Sequence, residues 1–169
     1  MNAIVTEAVH TFTEQEERFL AVITGLPTRA LNWSPGPDMN SLAVLTVHTW
    51  GAAVAWTERA AGHEIARNRE AEFRVVRDEA ALASLIRQQA TDVREATQTL
   101  TPADFATLRA RPNGEAFTVA YCLIHALEHT QEHLGQALLT RQLWEQTQGL
   151  HPTAEDNDGY RLPTSPTHG

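Results

Sequence analysis

Apolar residues recur at steps of three and four positions along most of this chain, and this period constrains the fold more than any other feature of the sequence. Four segments show the period, and glycine, proline or polar residues separate them. They run from about Ile4 to Thr24, Ser41 to Ala61, Asp78 to Leu100 and Thr118 to Thr147. We find no convincing strand alternation, so the pattern predicts an all-α protein.

The connections between these segments contain residues that break helices. Residues 31–40, LNWSPGPDMN, predict an ordered loop, after which Asn40 or Ser41 can cap the second helix. Residues 63–77 are mixed and charged, and they predict a connection with room for a short helix. Residues 111–114, Arg-Pro-Asn-Gly, predict a turn before the fourth helix.

The length of the chain fits one domain. With 169 residues, 42% of them apolar, it can bury a sizeable core without disulfides or metal staples. Four amphipathic helices of this length predict a four-helix bundle over residues 1–150. Residues 151–169 contain several prolines and glycines, and they predict a C-terminal tail with no core of its own.

The composition excludes several classes of partner and site. The net charge of −8 and the scattered arginines argue against a nucleic-acid partner, which needs clustered positive charge. The first residues contain acids where a signal peptide has its apolar run, and no stretch approaches a membrane span. We therefore expect a cytoplasmic protein with no membrane partner. The single cysteine, Cys122, excludes an intrachain disulfide and a cysteine-rich zinc module.

Three of the eight histidines lie in one register of the fourth predicted helix: His125, His129 and His133. A step of four residues places neighbours on one face with their Cβ atoms about 6 Å apart. Two imidazoles at that spacing can bind one metal ion at about 2.0–2.1 Å from each nitrogen. The spacing leaves two chelating pairs open, His125/His129 and His129/His133, and either pair needs a further ligand from another helix.

His48 is the best candidate for that further ligand. It lies in the second predicted helix on a face that it shares with Leu45, Ala52 and Trp56, so this face should point into the bundle. A buried histidine needs a partner, because an unpaired buried polar group costs about 1–3 kcal/mol. A shared metal ion supplies one, and a backbone carbonyl is the alternative.

Three further residues are candidates near such a site. Gln136 follows His133 by three residues and can orient a ligand or substrate. Arg141 can bind a carboxylate, or it can complement the dipole at the helix C-terminus. Trp33 can line the mouth of a pocket. We expect Cys122 to behave as a small apolar residue and not as a ligand.

Together these features resemble the DinB/YfiT-like superfamily of small bacterial metal-binding bundles, named after the damage-inducible protein and unrelated to the polymerase that shares the name. Residues 31–56 match its Pro/Gly loop and its helix with one histidine, and roughly 80 residues separate that histidine from the next ligands. Residues 125–141, HALEHTQEHLGQALLTR, match its His-x-x-x-His-x-Gly-Gln pattern followed by arginine. The sequence differs at Leu134, where relatives often carry a basic or polar residue.

The resemblance implies a metal ion held by His48, His129 and His133, which selects the His129/His133 pair and leaves His125 in the pocket or in packing. It also implies an up-down-down-up bundle, frequently a homodimer, with zinc or nickel as the metal. Some members of the superfamily are thiol S-transferases or isomerases that use mycothiol, bacillithiol or glutathione.

Three histidine ligands leave at least one coordination position open, which is typical of catalytic sites. A divalent ion lowers the pKa of a coordinated thiol or water. These properties suit both a thiol and a water, and the resemblance implies the first: a thiol-dependent S-transferase acting on a small electrophile. Two alternatives stay open: a metal-dependent hydrolase of amides or esters, and a metal-binding stress-response protein without turnover.

Overall fold

The computed structural model describes residues 2–111 and 113–150. Its elements follow the chain in the order α1 (Ala3–Ile23), α2 (Thr28–Leu31), α3 (Leu42–Ala61), α4 (Arg69–Glu72), α5 (Glu79–Gln98), β1 (Leu108–Ala110), β2 (Ala116–Thr118) and α6 (Val119–Thr147). The four long helices begin and end within two residues of the predicted segments. The predicted tail, residues 151–169, lies outside the described residues.

Side-chain caps explain where the long helices begin. The Ser41 hydroxyl accepts a hydrogen bond from the Val44 N–H at 3.3 Å, and the Asp78 carboxylate accepts one from the Ala81 N–H at 2.8 Å. At the other end of α3, Gly62 adopts a left-handed conformation with φ of 94°. Such a residue ends a helix at little steric cost when it is glycine.

Contacts between α1 and the last two long helices establish their directions. Gln15, in the middle of α1, donates to the carbonyl of Leu127, whereas Arg141 donates to carbonyls at the end of α1. Helices α1 and α6 are therefore parallel. Helix α5 is antiparallel to α1, because the later part of α5 bonds the middle of α1 and its first residue, Glu79, accepts from the N–H of Gly25.

Ring contacts establish the direction of α3. His48, in the first half of α3, lies beside His133, and Trp56, in the second half, lies beside His125. Helix α3 is therefore antiparallel to α6 and packs between α5 and α6. The bundle has the up-down-down-up arrangement that the resemblance implied.

The core lies between the four long helices. Trp50 of α3 meets Phe19 of α1 edge to face, with ring centroids 5.9 Å apart, and both side chains are fully buried. The other large side chains with no appreciable exposure include Phe12, Ile23, Leu31, Leu42, Leu82, Ile86, Leu123 and Leu134. Over the described residues, no helix is long and apolar enough to cross a bilayer.

The connection from α5 to α6 contains a hairpin that the sequence did not predict. Strands β1 and β2 pair antiparallel, with Arg109 opposite Phe117. The hairpin is joined to the start of α6 because the Val119 N–H donates to the Thr107 carbonyl at 2.9 Å. Strands of three residues are too short to show alternation, which is why periodicity missed them.

Candidate metal centre

Two antiparallel helices bring three histidines together. His129 and His133 are one turn apart on α6, and their ring centroids lie 4.3 Å from each other. The ring of His48, from α3, lies 5.3 Å from that of His129 and 5.2 Å from that of His133. All three histidines lie within regular helices, His48 in α3 and the other two in α6. The helix backbones therefore fix the positions of the three Cα atoms.

The nitrogen atoms of these rings have the separations that a metal ion requires. One ring nitrogen from each of His48, His129 and His133 lies within 4.8 Å of the other two. The Nε2 atoms of His129 and His133 are 3.2 Å apart. Two tetrahedral ligands at about 2.05 Å from an ion are roughly 3.3 Å apart. The three histidines can therefore hold a metal ion with small adjustments of their side chains.

Hydrogen bonds indicate which ring nitrogen of His48 and of His133 is available to bind a metal ion. His133 Nδ1 is 2.7 Å from the Gln136 carbonyl oxygen, which only accepts, so Nδ1 carries the hydrogen. His48 Nδ1 donates in the same way to Glu72 Oε2 at 3.0 Å. Arg67 Nη2 also lies 3.3 Å from His48 Nδ1, but the contact to Glu72 is shorter and a carboxylate can only accept, so we assign the hydrogen to Nδ1. With a hydrogen on Nδ1, a neutral ring carries its lone pair on Nε2, the nitrogen that is then suited to coordination.

Burial favours the neutral form of His48 and His129. Burial and, after it, the neighbouring rings of His133 and His48 together lower the pKa of His129 to about 3. Burial also lowers the pKa of His48, against the opposing effect of its hydrogen bond to Glu72. Neutral histidines are ready to bind a metal ion, because no proton has to be displaced.

His129 differs from its two neighbours in its second ring nitrogen. Across residues 2–111 and 113–150, its buried Nδ1 has no hydrogen-bond partner, and its Nε2 faces His133. A buried polar ring without a full set of partners costs free energy unless a ligand or water supplies the contact. This unsatisfied ring sits where the three histidines meet.

Sequence reasoning missed three side chains that contact the site, Arg67, Glu72 and Phe73, all from the charged connection between α3 and α5. Glu72 is at the end of α4, and its buried carboxylate accepts from His48 and from Arg67. Phe73 follows and packs on the His48 ring with centroids 4.8 Å apart. The signal in the sequence was Asn68, which caps α4, but nothing local indicated that this helix turns toward His48.

His125 lies beside the cluster and not in it. Its ring stacks on Tyr121 at 5.5 Å and meets the edge of Trp56 at 4.5 Å. It is therefore part of an aromatic surface that continues along α6 from the three histidines toward the hairpin. Arg111 covers the other side of Trp56, with its guanidinium carbon 4.6 Å from the ring centroid.

The structure places Arg141 and Trp33 away from the cluster. The Arg141 guanidinium donates to the carbonyls of Ala21, Val22 and Thr24 at 2.9, 3.0 and 3.2 Å. Trp33 packs on Trp144, which is about 16 Å beyond His133 along α6 at 1.5 Å per residue. Neither side chain converges with the ring nitrogens of the three histidines.

Cys122 and Leu134 belong to the core. Cys122 is fully buried, and burial raises the pKa of its thiol, so it stays protonated and apolar in behaviour. Leu134, the position that departs from the family pattern, is also fully buried. A polar residue there would face the core and not the metal centre.

The sequence profile of the DinB superfamily matches residues 11–137, which is most of the bundle and includes all three histidines. The chain belongs to the DinB superfamily. A search of the curated proteins finds no match.

Solved structures share the fold at low sequence identity. A conserved protein from Enterococcus faecalis is 18% identical with a TM-score of 0.66, over 85% of this chain and 98% of that one. A DinB-like protein from Bacillus cereus is 19% identical with a TM-score of 0.65, over 87% and 95%. A mutant of a mycothiol-dependent maleylpyruvate isomerase is 11% identical with a TM-score of 0.62, over 78% and 60%. At these identities the likeness establishes the fold alone.

Proposed function

We propose that this DinB superfamily member is a metal-dependent enzyme that holds a divalent ion, zinc or nickel, through His48, His129 and His133. The observation that carries the proposal is the convergence of three imidazoles from two helices, with one nitrogen from each within 4.8 Å of the others. Imidazole nitrogen suits both metals. Because only three protein ligands converge, at least one position stays open for a small molecule.

The reaction we propose is the transfer of a low-molecular-weight thiol to a small electrophile. A divalent ion at such a site lowers the pKa of a thiol that binds to it, so that the thiolate forms at neutral pH. The fold neighbour named as mycothiol-dependent supports thiol chemistry on this scaffold. Mycothiol, bacillithiol and glutathione are the candidate thiols.

The residues of this chain provide binding and orientation in that reaction. Gln136 and Glu72 hold the rings of His133 and His48 through their Nδ1 atoms. The aromatic surface formed by His125, Tyr121 and Trp56 begins one turn from His129 and can cover the apolar part of a bound substrate.

We also propose a cytoplasmic homodimer. Two large apolar residues of α6, Ile124 and Leu139, are 63% and 50% exposed in the single chain. These side chains lie about 22 Å apart along α6, so they are two separate points of contact for a second copy and not one apolar patch. Light scattering on the purified protein measures its mass, and a mass near 18.7 kDa would show a monomer.

The test of the function begins with metal analysis of the purified protein and of a His129→Ala variant. Candidate thiols are then screened by thermal shift on both proteins. A thiol that stabilises the metal-loaded protein and not the variant supports thiol transfer. Hydrolysis of a model ester without a response to any thiol would replace it with the hydrolase alternative. Inactivity in both assays, with metal bound, would leave a metal-binding stress-response protein.

A further inference from the structure

The side chain of His48 is held from behind by two residues of the connection between α3 and α5. Its Nδ1 lies 3.0 Å from Glu72 Oε2, and the side chains of His48 and Glu72 are 8% and 11% exposed. We infer that Glu72, locked by Arg67, is a positioning residue that fixes the ring of His48 with Nε2 toward His129 and His133. This inference rests on the proposed metal site and concerns how that site is preorganised.

Arg67 leaves the Glu72 carboxylate no freedom to turn. Its Nε donates to Oε1 at 2.6 Å and its Nη2 to Oε2 at 2.7 Å, which is the fork-to-fork geometry of a strong arginine–carboxylate pair. The same Nη2 also donates to the backbone carbonyl of His48 at 3.0 Å. Arg67 therefore ties the carboxylate to the very residue whose ring the carboxylate holds.

The pair acts on the ring and does not reach the ion. Glu72 Oε2 is shared by His48 and Arg67, and Oε1 is occupied by Arg67. With both oxygens engaged, the carboxylate is an acceptor for the His48 Nδ1–H and not a fourth ligand. Metal-binding histidines commonly donate their second N–H to a carboxylate, which fixes both tautomer and ring orientation.

Gly51 provides the space that this arrangement needs. It lies in α3 one turn after His48, and a Cβ at this position would be 3.1 Å from Glu72 Oε1 and 3.6 Å from Arg67 Nε. Glycine is unfavourable inside a helix, so its presence asks for a packing reason. The close approach of the carboxylate to the α3 backbone is that reason.

A second glutamate of α4, Glu70, forms an ordinary ion pair that is exposed to solvent. Glu70 pairs with Arg74, and the two side chains are 76% and 74% exposed. Glu70 touches no histidine among the contacts of the described residues. It therefore serves as a matched control for Glu72, with the same residue type, the same short helix and an arginine partner.

The first experiment is a titration of the purified protein with Zn²⁺ against a chromophoric chelator. Glu72→Ala should weaken zinc binding about 10–100-fold, the usual loss for a partner of a ligating histidine. Glu72→Gln should lose less, because its carbonyl oxygen can still accept from Nδ1. Glu70→Ala should bind zinc as the parent protein does. Parent-like affinity in Glu72→Ala, or an equal loss in Glu70→Ala, overturns the inference.

A pair of glycine variants tests the same idea without substituting a metal ligand or a member of the ion pair. Gly51→Ala should weaken zinc binding by displacing the Glu72 carboxylate a few tenths of an ångström. Gly135→Ala, also within a helix, meets no atom within 4 Å and should leave the affinity unchanged. Equal affinities in the two variants count against the role of Glu72.

Nitrogen NMR of the metal-free protein separates this inference from the proposed function. His48 should be the Nδ1–H tautomer with a hydrogen-bonded proton in the parent protein, and Glu72→Ala should lose that signature. The signature is independent of zinc, so it tests Glu72 even if the protein fails to bind metal. A His48 proton on Nε2 in the parent protein would contradict the inference.

Discussion

The two ends of α6 differ in whether the polar atoms of their side chains have hydrogen-bond partners. Toward its N-terminal end, His129 has a buried ring nitrogen without a hydrogen-bond partner in the described part of the chain, and its other nitrogen meets those of His48 and His133. Toward the C-terminal end, Arg141 donates from Nη1 to three carbonyls at the end of α1 and from Nε to Glu145.

This contrast separates a binding site from a structural contact. The carbonyls that Arg141 binds are the last ones of α1, which lack partners within that helix. Their satisfaction explains Arg141 as a clamp between α1 and α6. The histidine cluster is held in place from outside, by Glu72 and Gln136, and within it the buried His129 Nδ1 has no partner among the described residues. A buried polar atom without a partner, in a cluster of ring nitrogens, points to a place for a ligand or a water molecule.

The largest effect should come from removing the ring of His129. We expect His129→Ala to lower zinc affinity by more than the roughly 100-fold that an outer partner of a ligand is worth, because a ligand itself is lost. Competition with a chelator of known affinity measures it. His125→Ala is the control and should retain most of the affinity. If His125→Ala loses the metal and His129→Ala keeps it, the chelating pair is the wrong one.

Arg141→Met should separate the two ends of α6. It should lower the free energy of unfolding by about 1.5–3 kcal/mol, because charge-assisted hydrogen bonds to the last carbonyls of α1 are lost. Zinc affinity should not change. Urea denaturation measures the first quantity, and Arg74→Met, which removes an exposed pair, should cost at most about 1 kcal/mol. A loss of zinc binding in Arg141→Met would show that the two ends are coupled.

The stability of the metal-free protein should depend on pH through His129. Its pKa of about 3 lies below the ordinary value of 6.5, because of burial and the nearby charges of His133, His48, His125 and Arg67. Below pH 6.5 His129 binds a proton in the unfolded state, whereas in the folded state it stays unprotonated until the pH approaches 3. The free energy of unfolding should therefore fall with falling pH, by up to about 1.4 kcal/mol per pH unit between roughly pH 6 and pH 4.

The control for this pH dependence is His129→Gln, which has no titrating ring. In urea denaturation with a chelator present, its stability should fall less steeply over the same range. If the free energy of unfolding fell equally steeply with pH in the two proteins, a residue other than His129 would be responsible. No comparable dependence should come from the Arg141 end, where the arginine stays charged.

The smallest effect should come from Gln136, which holds His133 at an exposed position. We expect Gln136→Ala to weaken zinc binding about 10-fold, at the low end for such partners, because water can replace the amide oxygen. Gln131→Ala, another exposed glutamine of α6, should leave zinc binding as it is. An unchanged affinity in Gln136→Ala would mean that the helix alone orients His133.

Local order could be predicted closely. The step of three and four, the Ser41 and Asp78 caps and the glycine after α3 indicated all four long helices. The His129/His133 pair is local too, because a step of four on a helix places two rings on one face in any fold. The up-down-down-up order and the choice of His129/His133 over His125/His129 came from the family resemblance and not from periodicity.

The rest depends on the tertiary structure, because it joins residues that are distant in the chain. Glu72 is 24 positions from His48, and Arg141 is 120 from the Ala21 carbonyl that it binds. No periodicity connects such positions. The sequence of a charged connection has the same pattern whether its side chains face solvent or a histidine. The sequence by itself determined the helices and the pair of imidazoles on α6. Only the packing of α3 against α6 decided that a third imidazole meets this pair, and only the packing of the α4 region on α3 decided that a carboxylate and an arginine hold that imidazole.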